Sequence, residues 1–406
     1  MYARRNQIFD LGSDWRRGRK SESNFNMPEK IKIFYLANAR IPTEKAHGIQ
    51  IMKMCEALAE QSCELELVIP RRINRLKIDG FEYYKVKKDF SFVRIVCLDL
   101  LMLPFFKTAA YWLQILSFSF FTAIYFFRKQ DVNLVYTRDL ICVLFLSKRF
   151  QVVYEAHNIP NKRGWLYRRL INKVDKVVAI THGLKDDFLK LGVDAQKIFV
   201  APDAVDLKQF VVSNSRDECR RRVGLPLEKK IALYSGHLYQ WKGVYTVLES
   251  AKLLPEVLFV FVGGLRDELQ SFLKKAKALG LKNIITTGQK KHGEVPYFLK
   301  AADVLLLSNS ARERISVHYT SPLKMFEYMA SGSPIVAVDL PSIREILNDQ
   351  NAVLVEADSD SDMARGIRNL LDNEKIGQAL AGRALLDVEK HTWQNRAKNI
   401  LEFINL

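Results

Sequence analysis

The run Tyr319-Thr-Ser-Pro-Leu-Lys-Met-Phe-Glu-Tyr-Met-Ala-Ser-Gly-Ser-Pro-Ile-Val-Ala-Val338 holds the densest set of residues able to do chemistry. Ser321 can cap a helix by accepting from a free backbone N–H, and Pro322 suits the first helical position, where no donor is needed. Gly332 stops that helix and Pro334 leads into an apolar strand. A helix entered through Tyr319, Ser321, Pro322 and Leu323 aims unpaired N–H groups and a partial positive charge at whatever precedes it, which makes an anion site. Glu327 stands six residues beyond Ser321, deeper along the same helix. An anion cradle beside one carboxylate fits a nucleotide sugar, with the diphosphate on the helix terminus and ribose hydroxyls on Glu327. An ordinary amphipathic helix with a surface glutamate fits the same residues, so the rest of the chain has to choose.

A second cluster is Ser235-Gly-His-Leu-Tyr-Gln-Trp-Lys-Gly243, which follows a strand pattern and opens a helix. Gly236 permits an unusual backbone turn, and His237 and Lys242 bring positive charge to the place a diphosphate would occupy. Alone, it also fits a solvated loop. A third candidate is His157, directly after the apolar run Val152-Val-Tyr-Glu-Ala156. Open parallel sheets gather ligands at the carboxyl ends of their strands. Pro202-Asp203, Gly263-Gly264 and Ser308 fall at equivalent places, so the coincidences point to a cleft lined from two sheets.

The elements that would position these residues alternate regularly. Strands are expected at Ile31–Ala37, Leu65–Ile69, Leu134–Thr137, Val152–Ala156, Val177–Ile180 and Ile198–Ala201, with a helix at Gly48–Glu60. A polar stretch from Asp206 to Lys230 breaks the rhythm. It resumes at Ile231–Ser235, Leu258–Val262, Asn283–Thr286, Val304–Leu307, Ile335–Val338 and Ala352–Val355. This βα series predicts an α/β fold of two doubly wound, mostly parallel sheets joined near residue 206. A last helix, Thr392–Ile404, keeps Trp393, Ala397, Ile400, Leu401 and Ile404 on one face.

Composition sets the limits. The chain has 406 residues, 48% hydrophobic and 26% charged, enough for two cores. A net charge of +17 favours an anionic partner, with membrane surfaces, nucleic acid and nucleotide sugars all eligible. The basic pairs are scattered (Arg71-Arg72, Arg168-Arg169, Lys274-Lys275, Lys290-Lys291), which ranks nucleic acid last. Five cysteines without a CxxC pair argue against a metal cluster or disulfide framework and for a reducing cytoplasm. Asp358-Ser-Asp-Ser-Asp362 reads as a loop and helix cap rather than a metal site, and no metal or cofactor is expected. Residues 1–26 read as a polar extension without a secretory signal, poorly ordered.

The Tyr319–Val338 segment resembles the donor-binding helix of family 4 glycosyltransferases, where a glutamate at the Glu327 place holds the nucleotide ribose. Ser235–Gly243 is similar to the family's Gly-Arg…Lys-Gly phosphate motif, with His237 where the family has arginine. Asn38–Gly48 resembles its acceptor and phosphate loop, and His157 corresponds to a histidine lining the sugar site. The family's other glutamate, separated from the second by seven residues, falls on Tyr319, so Tyr319 or a main-chain group takes that sugar contact. The resemblance covers residues 31 to 406 and implies the GT-B architecture of two facing Rossmann-like domains. It assigns 27–205 to an acceptor-side domain, 206–388 to a nucleotide-sugar domain, and 389–406 to a helix returning to the first. It also implies metal-independent transfer of a hexose-type sugar, with retention, to a lipid-linked or oligosaccharide acceptor. His157, Lys242 and His237 are then the catalytic candidates. Gly48, Gly236, His237, Lys242, Tyr319, Ser321, Pro322, Leu323 and Glu327 bind the donor. A sugar-nucleotide epimerase of the same architecture would bind similar donors without an acceptor.

Ala109–Phe127 is uncharged over nineteen residues, with Leu98–Phe106 before it and Arg128-Lys129 after. That length could cross a bilayer. Gln114, Thr122 and a place inside the βα series favour instead a partly buried helix of the first domain lying on the membrane surface. The protein is then expected in the cytoplasm, peripheral on the inner face of the membrane.

Overall fold

The computed structural model describes residues 31–74, 76–100, 107–129, 134–146, 150–160 and 164–405. The extension expected over residues 1–26 and the run 101–106 lie outside the described residues. Residues 31 to 406 form one compact unit built on two parallel sheets.

The first sheet contains β1 (Lys32–Leu36), β2 (Glu64–Pro70), β3 (Ser91–Ile95), β4 (Leu134–Thr137), β5 (Gln151–Ala156), β6 (Lys176–Ala179) and β7 (Ile198–Val200). Their order is β3-β2-β1-β4-β5-β6-β7. The second contains β8 (Ile231–Ser235), β9 (Leu258–Val262), β10 (Ile284–Gly288), β11 (Val304–Leu307), β12 (Ile335–Val338) and β13 (Val353–Val355). Their order is β10-β9-β8-β11-β12-β13. The central strands are buried on both faces, hence their unbroken apolar runs. In each sheet the order reverses beside the first strand, between β1 and β4 and between β8 and β11, and a crevice opens at such a reversal.

Every strand expected from the apolar runs is present within two residues of its expected bounds. β3 was not expected. Ser91–Ile95 is a sheet edge, only partly buried, and lacks the apolar density of the central strands. The closing helix Trp393–Phe403 buries Trp393, Ala397, Ile400 and Leu401 against the first sheet's core, beside helix Ala46–Glu60. Residues from the far end of the chain thereby complete the first domain.

Helix Lys107–Phe127 belongs to the first domain. It buries Ala110, Gln114, Ile115, Phe118, Ser119, Thr122 and Phe126 and leaves Trp112, Leu116, Phe120, Phe121 and Phe127 exposed. Its polar residues are structural: Gln114 Nε2 donates to Asn38 Oδ1 at 2.9 Å, fixing the loop after β1. Tyr125 donates to Glu66, which also draws Lys129.

Candidate active site

The second-sheet cluster is built from three strand ends. β8 ends at Ser235, and Gly236 turns the chain with φ of 123°, a conformation that favours glycine. The following turn carries Lys242 and Gly243. A Cβ on Gly243 would stand 1.6 Å from the Ser308 carbonyl oxygen, so this turn is pressed onto the end of β11. Ser308 Oγ donates to the Lys242 carbonyl at 2.8 Å, and the Ser310 amide donates to the Trp241 carbonyl at 3.0 Å. Lys242 is thus fixed at its backbone, with its ammonium 3.8 Å over the Trp241 ring. Burial pushes that ammonium down to about 8.

Helix Leu323–Ser331 supplies the other wall. Pro322 occupies the N-cap, one position earlier than expected, and Gly332 ends the helix in the left-handed region at φ 67°. The expected cap from Ser321 is absent: its hydroxyl accepts from the Asp203 amide at 2.9 Å. Because Pro322 displaces it from the cap position, Ser321 ties the helix entry to the first domain. The initial N–H groups of the helix therefore receive no side-chain cap, as an anion site requires. Leu323 is partly buried against the first domain's core.

Glu327 is largely buried. Gln209 Nε2 lies 2.7 Å from His292 Nδ1, so the ring accepts there and its Nε2–H donates to Glu327 Oε1 at 3.0 Å. His292 orients the carboxylate that was expected to meet ribose. Sequence reading missed His292 because it sits in a short turn after β10, remote from any motif.

Two other expected site residues take protein partners of their own. His237 was expected to replace the family's arginine over the phosphate. Its Nδ1 faces Glu268 Oε1, on the next helix, at 3.0 Å and its ring stacks on Tyr239. Tyr319 was expected to take the missing glutamate's sugar contact. Its hydroxyl instead donates to Asp187 on helix His182–Lys190, in an interdomain seam where Arg314 also pairs with Asp187.

A residue that no motif indicated completes the cluster. Lys324, in the first turn of helix Leu323–Ser331, is 9% exposed, and its Nζ has no hydrogen-bond acceptor. The ammonium lies 3.8 Å over the Tyr234 ring. Burial, then repulsion from Lys242, holds its pKa well below the lysine range against a pull from Glu327.

The first-sheet cluster centres on Glu155 at the end of β5. This buried carboxylate accepts from Tyr136 and pairs with Arg396 of the closing helix at 3.0 Å. Burial pushes Glu155 up, but Arg396 and His157 hold it well below the usual carboxylate range. Gln50 spends its two N–H groups on Glu155 and Asp203. His157 Nε2, 2.6 Å from Glu155 Oε1, is then the proton-bearing nitrogen, leaving Nδ1 to accept. Burial, with Arg138 close by, pushes His157 down to about 4, so the ring is neutral at pH 7. Gly48 lies beside this cluster at the start of helix Ala46–Glu60. A Cβ there would meet the Tyr84 hydroxyl at 2.1 Å, so packing alone requires the glycine, and its amide already donates to Lys45.

Asp358, Asp360 and Asp362 serve the fold: the Asp358 carboxylate accepts from the Ala311 amide and that of Asp362 from the Glu356 amide. Among the described residues no group of three metal-type ligands forms.

Two facing Rossmann-like domains, each presenting strand-end polar groups at its switch point, define the GT-B architecture. A solved example is HepE of Anabaena, in complex with UDP and glucose. It is 15% identical, with a TM-score of 0.71 over 92% of this chain and 99% of that one. Two family models match consecutive stretches: Glycosyltransferase Family 4 over residues 48–209 and Glycosyl transferases group 1 over residues 215–384. The chain belongs to the family 4 glycosyltransferases. It is similar to the putative teichuronic acid biosynthesis glycosyltransferase TuaC of Bacillus subtilis, 26% identical over 50% of this chain and 48% of that protein. It is also similar to a D-inositol 3-phosphate glycosyltransferase of Paenarthrobacter aurescens, 25% identical over 60% of each. The matches span about half to two thirds of these curated relatives.

Proposed function

We propose that the protein is a retaining glycosyltransferase that moves a hexose-type sugar from a nucleotide-diphosphate sugar to a lipid-linked or glycan acceptor, in cell-surface polysaccharide or glycolipid synthesis. The observation that carries this reading is the uncapped N-terminus of helix Leu323–Ser331 beside Lys242, with the oriented carboxylate of Glu327 deeper along the same helix. The diphosphate lies on the helix terminus and ribose hydroxyls donate to the free oxygen of Glu327.

In the reaction the bond from the sugar's anomeric carbon to the phosphate oxygen breaks, and a bond to the acceptor oxygen forms on the same face. The acceptor proton passes to the departing phosphate oxygen. Charge grows on the diphosphate as the sugar leaves, and Lys242 with the helix N–H groups stabilises it, so no metal is required. His157 Nδ1 accepts a hydrogen bond from a sugar hydroxyl. Thermal-shift measurement with UDP-, GDP-, ADP- and dTDP-sugars tests the donor, and the anomeric configuration of the product, read by proton NMR, tests retention. A protein stabilised by none of these donors would refute the reading.

The acceptor is lipid-linked in this proposal because helix Lys107–Phe127 presents Trp112, Leu116, Phe120 and Phe121 to solvent with Arg128 exposed at its end. Such a face suits the cytoplasmic surface of an anionic membrane, while the buried opposite face keeps the helix in the fold. Co-sedimentation with phosphatidylglycerol vesicles should show binding at low salt and release at high salt. Absence of binding at low salt would favour a soluble acceptor, and release by detergent alone would indicate a spanning helix.

A further inference from the structure

We propose that Lys324 is a second cation for the donor diphosphate, filling the role that the family's phosphate motif gives to an arginine at the His237 position. The proposal rests on the donor reading above and names a contact which that reading leaves open.

Three observations meet at this lysine. The first is its place in the opening turn of the nine-residue helix whose uncapped N–H groups face the same anion site. The second is its unsatisfied charge: the residue is 9% exposed and Nζ has no hydrogen-bond partner. A buried ammonium without an acceptor costs stability, and a fold retains one where a ligand completes it. The third is the surrounding charge. Lys242 stands close enough to repel it, and the nearby carboxylate, Glu327, is already engaged by His292. Two ammonium groups close enough to repel each other, one of them buried, suit an anion with more than one charge, such as a diphosphate.

The turn after β8 fits the same assignment. At the family's arginine position His237 is bonded through Nδ1 to Glu268 and stacked on Tyr239. The lysine stem lies along that turn: a Cβ on Gly236 would come 4.0 Å from Lys324 Cδ. Lys324 thus brings a cation from the helix to the turn that carries His237. At the end of β11, Asn309 is fully buried with neither side-chain amide atom partnered, a further polar group left open next to Gly243.

The test compares Lys324→Met and Lys324→Arg with the unmodified protein, by calorimetry with UDP, GDP, ADP and dTDP and by thermal melting without ligand. The nucleoside diphosphate that binds the unmodified protein should bind Lys324→Met about tenfold or more weakly, the usual size of a lost charge-assisted contact. Lys324→Arg should retain most of the affinity. Melting of free Lys324→Met should stay level or rise, since an unpaired buried charge has been removed. Equal affinity of Lys324→Met and the unmodified protein would overturn the proposal, as would equal losses in both variants with a lowered melting temperature, which would mark a packing role. If no nucleoside diphosphate binds even the unmodified protein, the donor reading itself fails.

Discussion

Around Glu155 the polar groups are bound to one another, whereas around Lys242 and Lys324 they wait. The first cluster joins β4, β5, the loop after β7 and two helices through Tyr136, Glu155, Asp203, Gln50 and Arg396, and its central carboxylate, Glu155, has a guanidinium 3.0 Å away. The second cluster holds the buried Lys324 ammonium, the partly buried Lys242 ammonium and an uncapped helix start, with Glu327 bonded to His292 through one carboxylate oxygen. A largely saturated network, in which Arg138 Nη1 is left without a hydrogen-bond partner, fixes geometry, and unpartnered cations favour an anion. The contrast fits the proposed division of labour, in which the first domain positions and the second binds and neutralises the donor.

The largest effect should come from breaking the saturated side. Arg396→Met takes the nearer guanidinium from buried Glu155, leaving Arg138 at 3.8 Å, and removes the donors to the Pro202 and Ala201 carbonyls. It should cost about 3–5 kcal/mol of stability in denaturant unfolding. A loss below about 1 kcal/mol would mean that the network is not what holds the closing helix to the first sheet.

Lys242→Ala should do the reverse, lowering the turnover number by on the order of a hundredfold with little change in melting temperature. Normal turnover would remove Lys242 from the site. Glu327→Gln should weaken donor binding about tenfold while leaving the His292 side of the pocket folded. Unchanged donor affinity by calorimetry would end the ribose role.

The smallest effect sharpens the comparison through pH. The free protein's Lys242 titrates at about 8, below the ordinary lysine value. A bound diphosphate favours the protonated amine and raises that value, so affinity is complete below pH 8 and falls as pH climbs above it. Between pH 7 and 9 the donor dissociation constant should rise by up to about tenfold. A constant affinity across that range would show that Lys242 does not meet the diphosphate.

The sequence alone determined every strand but β3, the strand-end placement of His157, Gly236 and Asp203, the helix behind Ser321 and its stop at Gly332. These follow from local information: apolar runs, periodicity, and backbone needs that glycine and proline meet whatever surrounds them. It also placed the closing helix's apolar face, because a stripe on one side of a helix must be covered. Only the tertiary structure decided which partners the polar side chains take. Tyr319 bonds to Asp187, 132 residues away in sequence, and Ser321 to the Asp203 amide, 118 residues away. His237 meets Glu268 from the next helix, and His292 comes from the turn after β10 to hold Glu327. Lys324 looked like an ordinary helix residue because its spacing says nothing of solvent. Its charge becomes informative only when neighbouring strands and Tyr234 shut out water and leave it without an acceptor, since burial and pairing belong to the assembled chain.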